Sequence, residues 1–165
     1  MTDPQFNPEA PLTLHRETVR PEWIDYNGHM NVAYYVLVFD HATDAVMDGL
    51  GIGPDYVAEG QGAMFVVECH VTYDRELTAG DSVAIETQLL DCDAKRVHLF
   101  HRMRHADEGF QAASTEIMLV HVDQETRRSA PMPEAARERL DAMLRRHATL
   151  GRPEQAGRAV ALPRR

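Results

Sequence analysis

Apolar and polar positions alternate along this chain with two distinct periods. The segment "NVAYYVLVFDHATDAVMDGLG" (31–51) places Val32, Tyr35, Val36, Phe39, Val46, Met47 and Leu50 at the i, i+3, i+4, i+7 spacing of an amphipathic helix, with Thr43 a weak member. Asn31 suits the N-cap, and Gly49 or Gly51 suits the stop. A helix of about 18 residues is about 27 Å long and is the longest element expected.

Elsewhere the period is two. "LTLHRETVR" (12–20) reads as a first strand closed by Pro21. "AMFVVECHVTY" (63–73) puts Phe65, Val67, Cys69, Val71 and Tyr73 on one face. "DSVAIETQLL" (81–90), "KRVHLFHRMRH" (95–105) and "AASTEIMLVHV" (112–122) follow, separated by the turn signals "TAGD", "DCDA" and "ADEG". Five strands around one long helix predict an α+β fold with an antiparallel sheet wrapped on that helix. "PEAARERLDAMLRRHA" (133–148) predicts a second, mostly exposed helix. Residues 1–11, with three prolines, read as a flexible arm. Residues 12–150 then form one domain, and the Gly-, Pro- and Arg-rich stretch 151–165 is expected to be a disordered tail.

Composition narrows the function classes. A chain of 165 residues, 44% hydrophobic and 26% charged, is expected to form one globular domain. The formal charge of −9 argues against nucleic acid as a partner. The cations are arginines apart from Lys95, and a local cationic patch for a phosphorylated ligand stays compatible with the acidic total. The N-terminus lacks the basic and apolar regions of a signal peptide, and no run is long enough for a membrane helix. Cys69 and Cys92 are expected to be unpaired thiols in a reducing compartment, which points to the cytoplasm.

Common catalytic signatures are missing. There is no G-x-S-x-G elbow and no Walker A loop, and "GLGIGPDY" follows a helix with the wrong spacing for a dinucleotide site. His98, His101 and His105 lie on one strand, but His98 faces away from the other two. They are expected to be solvated, and neither a metal nor a cofactor is expected.

The chemistry concentrates in "WIDYNGHMNVAYY" (23–35). Asp25 lies in the approach to a helix whose first-turn N–H groups lack helical partners and carry partial positive charge. Such an end can hold an anion or polarise a carbonyl oxygen. Gly28 would permit close backbone approach of a ligand. A carboxylate beside that end can serve acyl transfer, the amides stabilising an oxyanion while the carboxylate attacks or activates water. The same residues also make an ordinary turn and cap, and His29 could serve only as a hydrogen-bonding neighbour.

This segment resembles the "D-x-D-x-x-G-H-V-N-N-x-x-Y" pattern of hotdog-fold acyl-CoA thioesterases of the 4-hydroxybenzoyl-CoA thioesterase-like group. It matches at Asp25, Gly28, His29, Asn31 and Tyr35, while Trp23 replaces the first aspartate. "YDRELTAGD" (73–81) is similar to the group's "Y-x-x-P-L-x-x-G-D", with Glu76 in place of proline, and "VDQETRRSAPMP" resembles its closing segment. The resemblance covers about residues 12–133. It implies the strand order 1-3-4-5-2, in which the "TAGD" link joins strands that are not neighbours. It also implies a homodimer or dimer of dimers with active sites at the subunit interface.

By the same resemblance Asp25 is the catalytic carboxylate, supported by Gly28, His29 and Asn31, with amides near residues 33–35 on the carbonyl oxygen. A carboxylate at a helix N-terminus is a weak base, so a nucleophilic role giving a mixed anhydride is favoured over general-base catalysis. Glu68, a charge within an apolar strand, is the second candidate acid. Arg75, Lys95 and Arg96, with Arg127 and Arg128, are candidates for the coenzyme A phosphates because they sit at strand ends and turns.

The fuller string "PEWIDYNGHMN" looks like a narrower subgroup linked to carnitine breakdown, whose implied substrate is betainyl-CoA. Trp23, Tyr26, Tyr34 and Tyr35, beside Asn27, could face its trimethylammonium group. Asp40, Asp44 and Asp48 form an acidic row on the helix. A hotdog hydratase and a non-catalytic acyl-CoA sensor are the alternatives. The Asp25–His29 spacing departs from the hydratase pattern, and no attached partner domain is evident for a sensor.

Overall fold

The computed structural model describes residues 11–162, so the arm expected at 1–11 lies almost wholly outside the described residues. The chain runs β1 (Leu12–Thr18), a single 3-10 turn (Pro21–Trp23), α1 (Val32–Leu50), α2 (Pro54–Ala58), β2 (Gly62–Tyr73), β3 (Ser82–Cys92), β4 (Arg96–His105), β5 (Gln111–Asp123) and α3 (Glu134–His147). The five strands form one antiparallel sheet in the order β1-β3-β4-β5-β2. This is the hotdog arrangement, with α1 lying along the sheet's inner face. The link through "TAGD" joins β2 at one edge to β3 on the far side, as the resemblance implied and the turn pattern alone would not.

Helix α1 is closed at both ends by the residues expected. The Asn31 side chain accepts from the Ala33 N–H, and Gly51, at φ 74°, is the left-handed stop. The buried face is Tyr35, Val38, Phe39, Ala42, Thr43, Val46, Met47 and Leu50. Val32 and Val36, counted in the periodic stripe, are 57% and 42% exposed beside Leu37. The helix therefore carries two apolar stripes, and periodicity merged them.

The β2 pattern is also redrawn. A bulge between Val66 and Glu68 breaks the alternation. Phe65, opposite Val120, and Cys69, Val71 and Tyr73, opposite Ile117, Thr115 and Ala113, consequently face opposite sides of the sheet. On β1 a register shift between Leu12 and His15 turns His15 and Glu17 inward, opposite the core residues Ile85 and Val83.

Two apolar clusters fill the interior. One lies at the start of α1, around Trp23, Met30, Tyr35, Phe39, Leu77 and Met103. The other lies at its end, where Leu50 and Val46 meet Leu89, Leu99, Leu140 and Met143. Helix α3, expected to be mostly exposed, buries Ala136, Leu140 and Met143 in the second cluster and His147 beside it. His147 Nδ1 also accepts the Leu89 N–H at 2.8 Å, beyond the point where β1 pairing ends at Leu12 opposite Thr87. Past α3, the segment expected to be a tail lies on the sheet's outer side. Gln88 donates to the Gly151 carbonyl at 2.8 Å, and the Gly157 N–H donates to Glu116 at 2.6 Å.

Two of the three strand histidines are not solvated. His101 is fully buried and His105 is 7% exposed, because they lie on the inner face of β4 opposite the buried Thr87 and Val83. His98, on the outer face, is 19% exposed and lies 2.7 Å from Glu116. His101 stands between Thr87 Oγ1 (2.8 Å from Nδ1) and Thr43 Oγ1 (3.1 Å from Nε2). The Thr43 hydroxyl donates to the Phe39 carbonyl, so its oxygen accepts from Nε2–H and Thr87 donates to Nδ1. Burial lowers the His101 pKa to about 3. Among the described residues no helix is long and apolar enough to cross a membrane.

Candidate active site

The loop before α1 is built by its own hydrogen bonds. The Asp25 N–H donates to the His29 carbonyl at 2.9 Å, and the Gly28 N–H closes a turn onto the Asp25 carbonyl at 3.0 Å. Gly28 sits at φ 81°, and a β-carbon there would meet nothing within 4 Å. Glycine is therefore required by the backbone angle, not by crowding within the chain. The Met30 N–H donates to the Leu77 carbonyl at 2.8 Å and the Asn31 N–H to the Trp23 carbonyl at 2.9 Å, which straps the loop across the start of the helix.

Asp25 is half-buried, and its Oδ1 accepts the Asn27 N–H at 2.8 Å. Among the described residues Oδ2 has no partner. The donors available to a substrate carbonyl differ from those expected near 33–35. The Ala33 N–H is taken by Asn31 Oδ1 at 3.0 Å and the Tyr34 N–H by the Asn31 carbonyl at 3.0 Å. The His29 and Val32 amides are left without an acceptor among the described residues. Asn31 thus acts as the helix cap, and the exposed His29 ring has no partner among the described residues.

The aromatic candidates divide. Trp23 is buried and stacked on Tyr34, with ring centroids 5.2 Å apart, and the Arg20 guanidinium lies 4.9 Å above the indole. Tyr35 is buried edge-on to Tyr73 at 5.3 Å, and burial pushes its phenol pKa up. Tyr26 is 97% exposed and Asn27 is exposed. Arg20, over the Trp23 ring, is not among the residues the sequence singles out. Nor does the sequence single out the Tyr73 hydroxyl, which donates to the Val32 carbonyl at 3.3 Å. Nothing local marks either one, since both contacts depend on the fold.

The remaining candidates are scattered within one chain. Glu68 faces the outer side of the sheet, in a groove with His70, His98 and Glu116 and with no residue of the 23–35 loop. Arg75 is at the Asp25 end of the sheet, 3.8 Å over Phe110 and 3.6 Å from Glu108. Lys95 and Arg96 are at the opposite end, roughly 30 Å along the strands. Lys95 Nζ donates to the Ser129 carbonyl at 3.3 Å. Arg96 pairs with Asp93 at 2.6 Å, and with two backbone N–H groups it holds the Asp93 pKa down to about 2. Arg127 lies 5.7 Å over Phe65, also at that far end.

A hotdog sheet with a carboxylate-bearing loop strapped to the start of its central helix is an arrangement compatible with acyl transfer. Comparison with known proteins makes the assignment specific. Residues 19–140 match the Thioesterase-like superfamily, and the chain belongs to that family. It is 39% identical over 152 residues to the betainyl-CoA thioesterase of Pseudomonas aeruginosa, covering 92% of this chain and 96% of that one. It is 41% identical over 133 residues to the L-carnitine dehydrogenase/betainyl-CoA thioesterase of Agrobacterium fabrum, covering 81% of this chain and 27% of that longer protein. A Staphylococcus aureus protein solved in complex with CoA superposes with a TM-score of 0.86 at 30% identity, covering 93% of this chain and 97% of that one. The protein is a thioesterase that hydrolyses acyl-CoA thioesters.

Proposed function

We propose that the acyl group is betainyl, that Asp25 is the nucleophile, and that the working unit is a homodimer or a dimer of such dimers. The observation that carries the chemistry is the Asp25 Oδ2, without a partner among the described residues, in a loop strapped to the start of α1. That oxygen attacks the thioester carbon while the His29 and Val32 amides take the developing oxyanion. The carbon–sulfur bond breaks, coenzyme A leaves as its thiolate, and an acyl-aspartyl anhydride remains. Water then splits the anhydride into the free acid and the regenerated carboxylate. Repeated turnover in ¹⁸O water tests this step. Label accumulating in Asp25 fits an anhydride opened at the aspartyl carbon, and label confined to the product acid, with no acyl-Asp25 trapped by hydroxylamine, fits water activated by a general base.

The betainyl assignment is supported by the likeness to the Pseudomonas aeruginosa enzyme across nearly all of both chains. Aromatic rings at the start of α1 (Trp23, Tyr34, Tyr35 and Tyr73) suit a quaternary cation, whereas the acidic row Asp40, Asp44 and Asp48 begins about 13 Å beyond Asn31 along the helix, too far to face it. A panel assayed by free-thiol release tests the choice. Betainyl-CoA should be turned over at least tenfold faster than a neutral acyl-CoA of equal length, and equal rates would count against the assignment.

The dimer is supported by what β2 leaves uncovered. It is an edge strand with Phe65, Val66, Val67 and Tyr73 at 40%, 46%, 59% and 48% exposure, beside Val32, Val36 and Leu37 of α1. Two such edges pairing antiparallel would bring the Lys95–Arg127–Arg128 end of one copy beside the Asp25 loop of the other. That arrangement would reunite cations which lie far apart in a single chain. The free thiols Cys69 and Cys92 suit a reducing compartment such as the cytoplasm.

A further inference from the structure

We propose that His15, Glu17 and His41 form a site for one divalent transition-metal ion of the zinc, cobalt or nickel type. The site lies where the edge strand β1 crosses α1. Strand residues 15 and 17 point inward there, yet they are a histidine and a glutamate where a core position would ordinarily be apolar. His41 meets them from the helix. Glu17 Oε2 is 3.0 Å from His15 Nε2 and 2.9 Å from His41 Nδ1, and the three ligand atoms lie within 4.8 Å of one another.

The geometry is close to that of a bound ion. Bonds of about 2.0–2.1 Å in a tetrahedral site set ligand atoms about 3.3 Å apart. The carboxylate oxygen need only retreat by a few tenths of an ångström from each histidine, and the two histidine nitrogens lie within 4.8 Å of one another. Two imidazoles and one carboxylate favour zinc, cobalt or nickel over magnesium or calcium, which prefer oxygen. Three protein ligands leave a fourth position for water. The side chains of His15, Glu17 and His41 are 21%, 12% and 37% exposed, so an ion can enter without opening the core.

The charged surroundings are mixed but favourable. Asp40 and Asp44 flank His41 on the helix, adding negative charge. Arg20 opposes them, 3.4 Å from Glu17 Oε1, but it is 56% exposed and free to swing away. Without a metal, each imidazole donates its N–H to the shared Glu17 oxygen. On binding, that proton passes through solvent to the other ring nitrogen, so a neutral histidine stays neutral. His41 lies ten residues beyond Asn31, about 15 Å along the helix. The ion would tie β1 to α1 and take no part in thioester cleavage.

The test uses the full chain without an affinity tag, stripped with a chelator and titrated with Co²⁺. Visible d–d absorption and calorimetry are read together. The expected result is one ion per chain with a dissociation constant of about micromolar or tighter, displacement by Zn²⁺, and a raised melting temperature with Zn²⁺ bound. His15→Ala, Glu17→Gln and His41→Ala should each weaken binding at least tenfold. The metal-free variants should cleave thioester within twofold of the metal-free parent. His15→Asn, a milder change at the sheet edge, serves if any of these does not fold. Absence of saturable Co²⁺ binding below about 1 mM, or affinity unchanged by these substitutions, would overturn the proposal.

Discussion

The main-chain N–H of Asn27 donates to Asp25 Oδ1 at 2.8 Å, which fixes the carboxylate by backbone geometry and leaves its second oxygen without a partner among the described residues. Because the donor is the backbone, the Asn27 side chain is expendable for this purpose. Asn27→Ala is expected to keep kcat within about threefold of the parent, an effect below about 1 kcal/mol. A larger loss in steady-state kinetics would mean that the amide side chain itself serves the reaction.

Gly28 closes the same turn at φ 81° with open space around its missing side chain. Gly28→Ala should therefore destabilise through backbone strain alone, by about 1–2 kcal/mol. Gly28→Asn should cost less, because asparagine tolerates the left-handed region. Urea unfolding of the three proteins checks the order parent, Asn, Ala.

Two buried histidines give the fold an acid-sensitive element. Burial lowers the pKa of His101 to about 3 and also lowers that of His147. The unfolded chain binds these protons near the ordinary histidine value, about 6.5, while the folded chain does not. Their contribution is therefore fully present above about pH 6.5 and is lost as pH falls. The loss continues down to the folded value, about 3 for His101. Stability should drop by up to about 1.4 kcal/mol per pH unit for each fully uptaken proton. His101→Gln should be less stable than the parent at pH 7.5 and flatter in its acid limb. Equal acid slopes in denaturant unfolding would show that His101 does not supply the effect.

The β2 edge offers Val67 at 59% exposure. A lysine there should block edge pairing. Val67→Lys is expected to convert a dimer into a monomer by light scattering and to reduce thioester cleavage at least tenfold, although Asp25 is untouched. An unchanged mass would place the interface elsewhere.

Much of this fold is legible in the sequence because period and capping are local. The Asn31 cap, the Gly51 stop and five strand segments fall within about two residues of where the pattern puts them. The strand order is not local, and it came from the resemblance. The bulge at Val66–Glu68 inverts faces without any glycine or proline to announce it, so alternation misplaced Phe65. The short helix α2 hides in a Gly/Pro-rich stretch that reads as loop. The turn through Asp25 and Gly28 is readable because a turn before a helix has its own residue chemistry. The stacking of Trp23 on Tyr34, and the inward turn of His15 and Glu17, depend on contacts between distant segments.

The most direct measurement is thiol release from betainyl-CoA by the parent and by Asp25→Asn, which keeps the side chain's shape and removes its charge. The account expects kcat to fall by about 10³-fold or more, about 4 kcal/mol of transition-state stabilisation, with KM changed little and the variant folded as the parent is. Release by the variant at the parent's rate would contradict it.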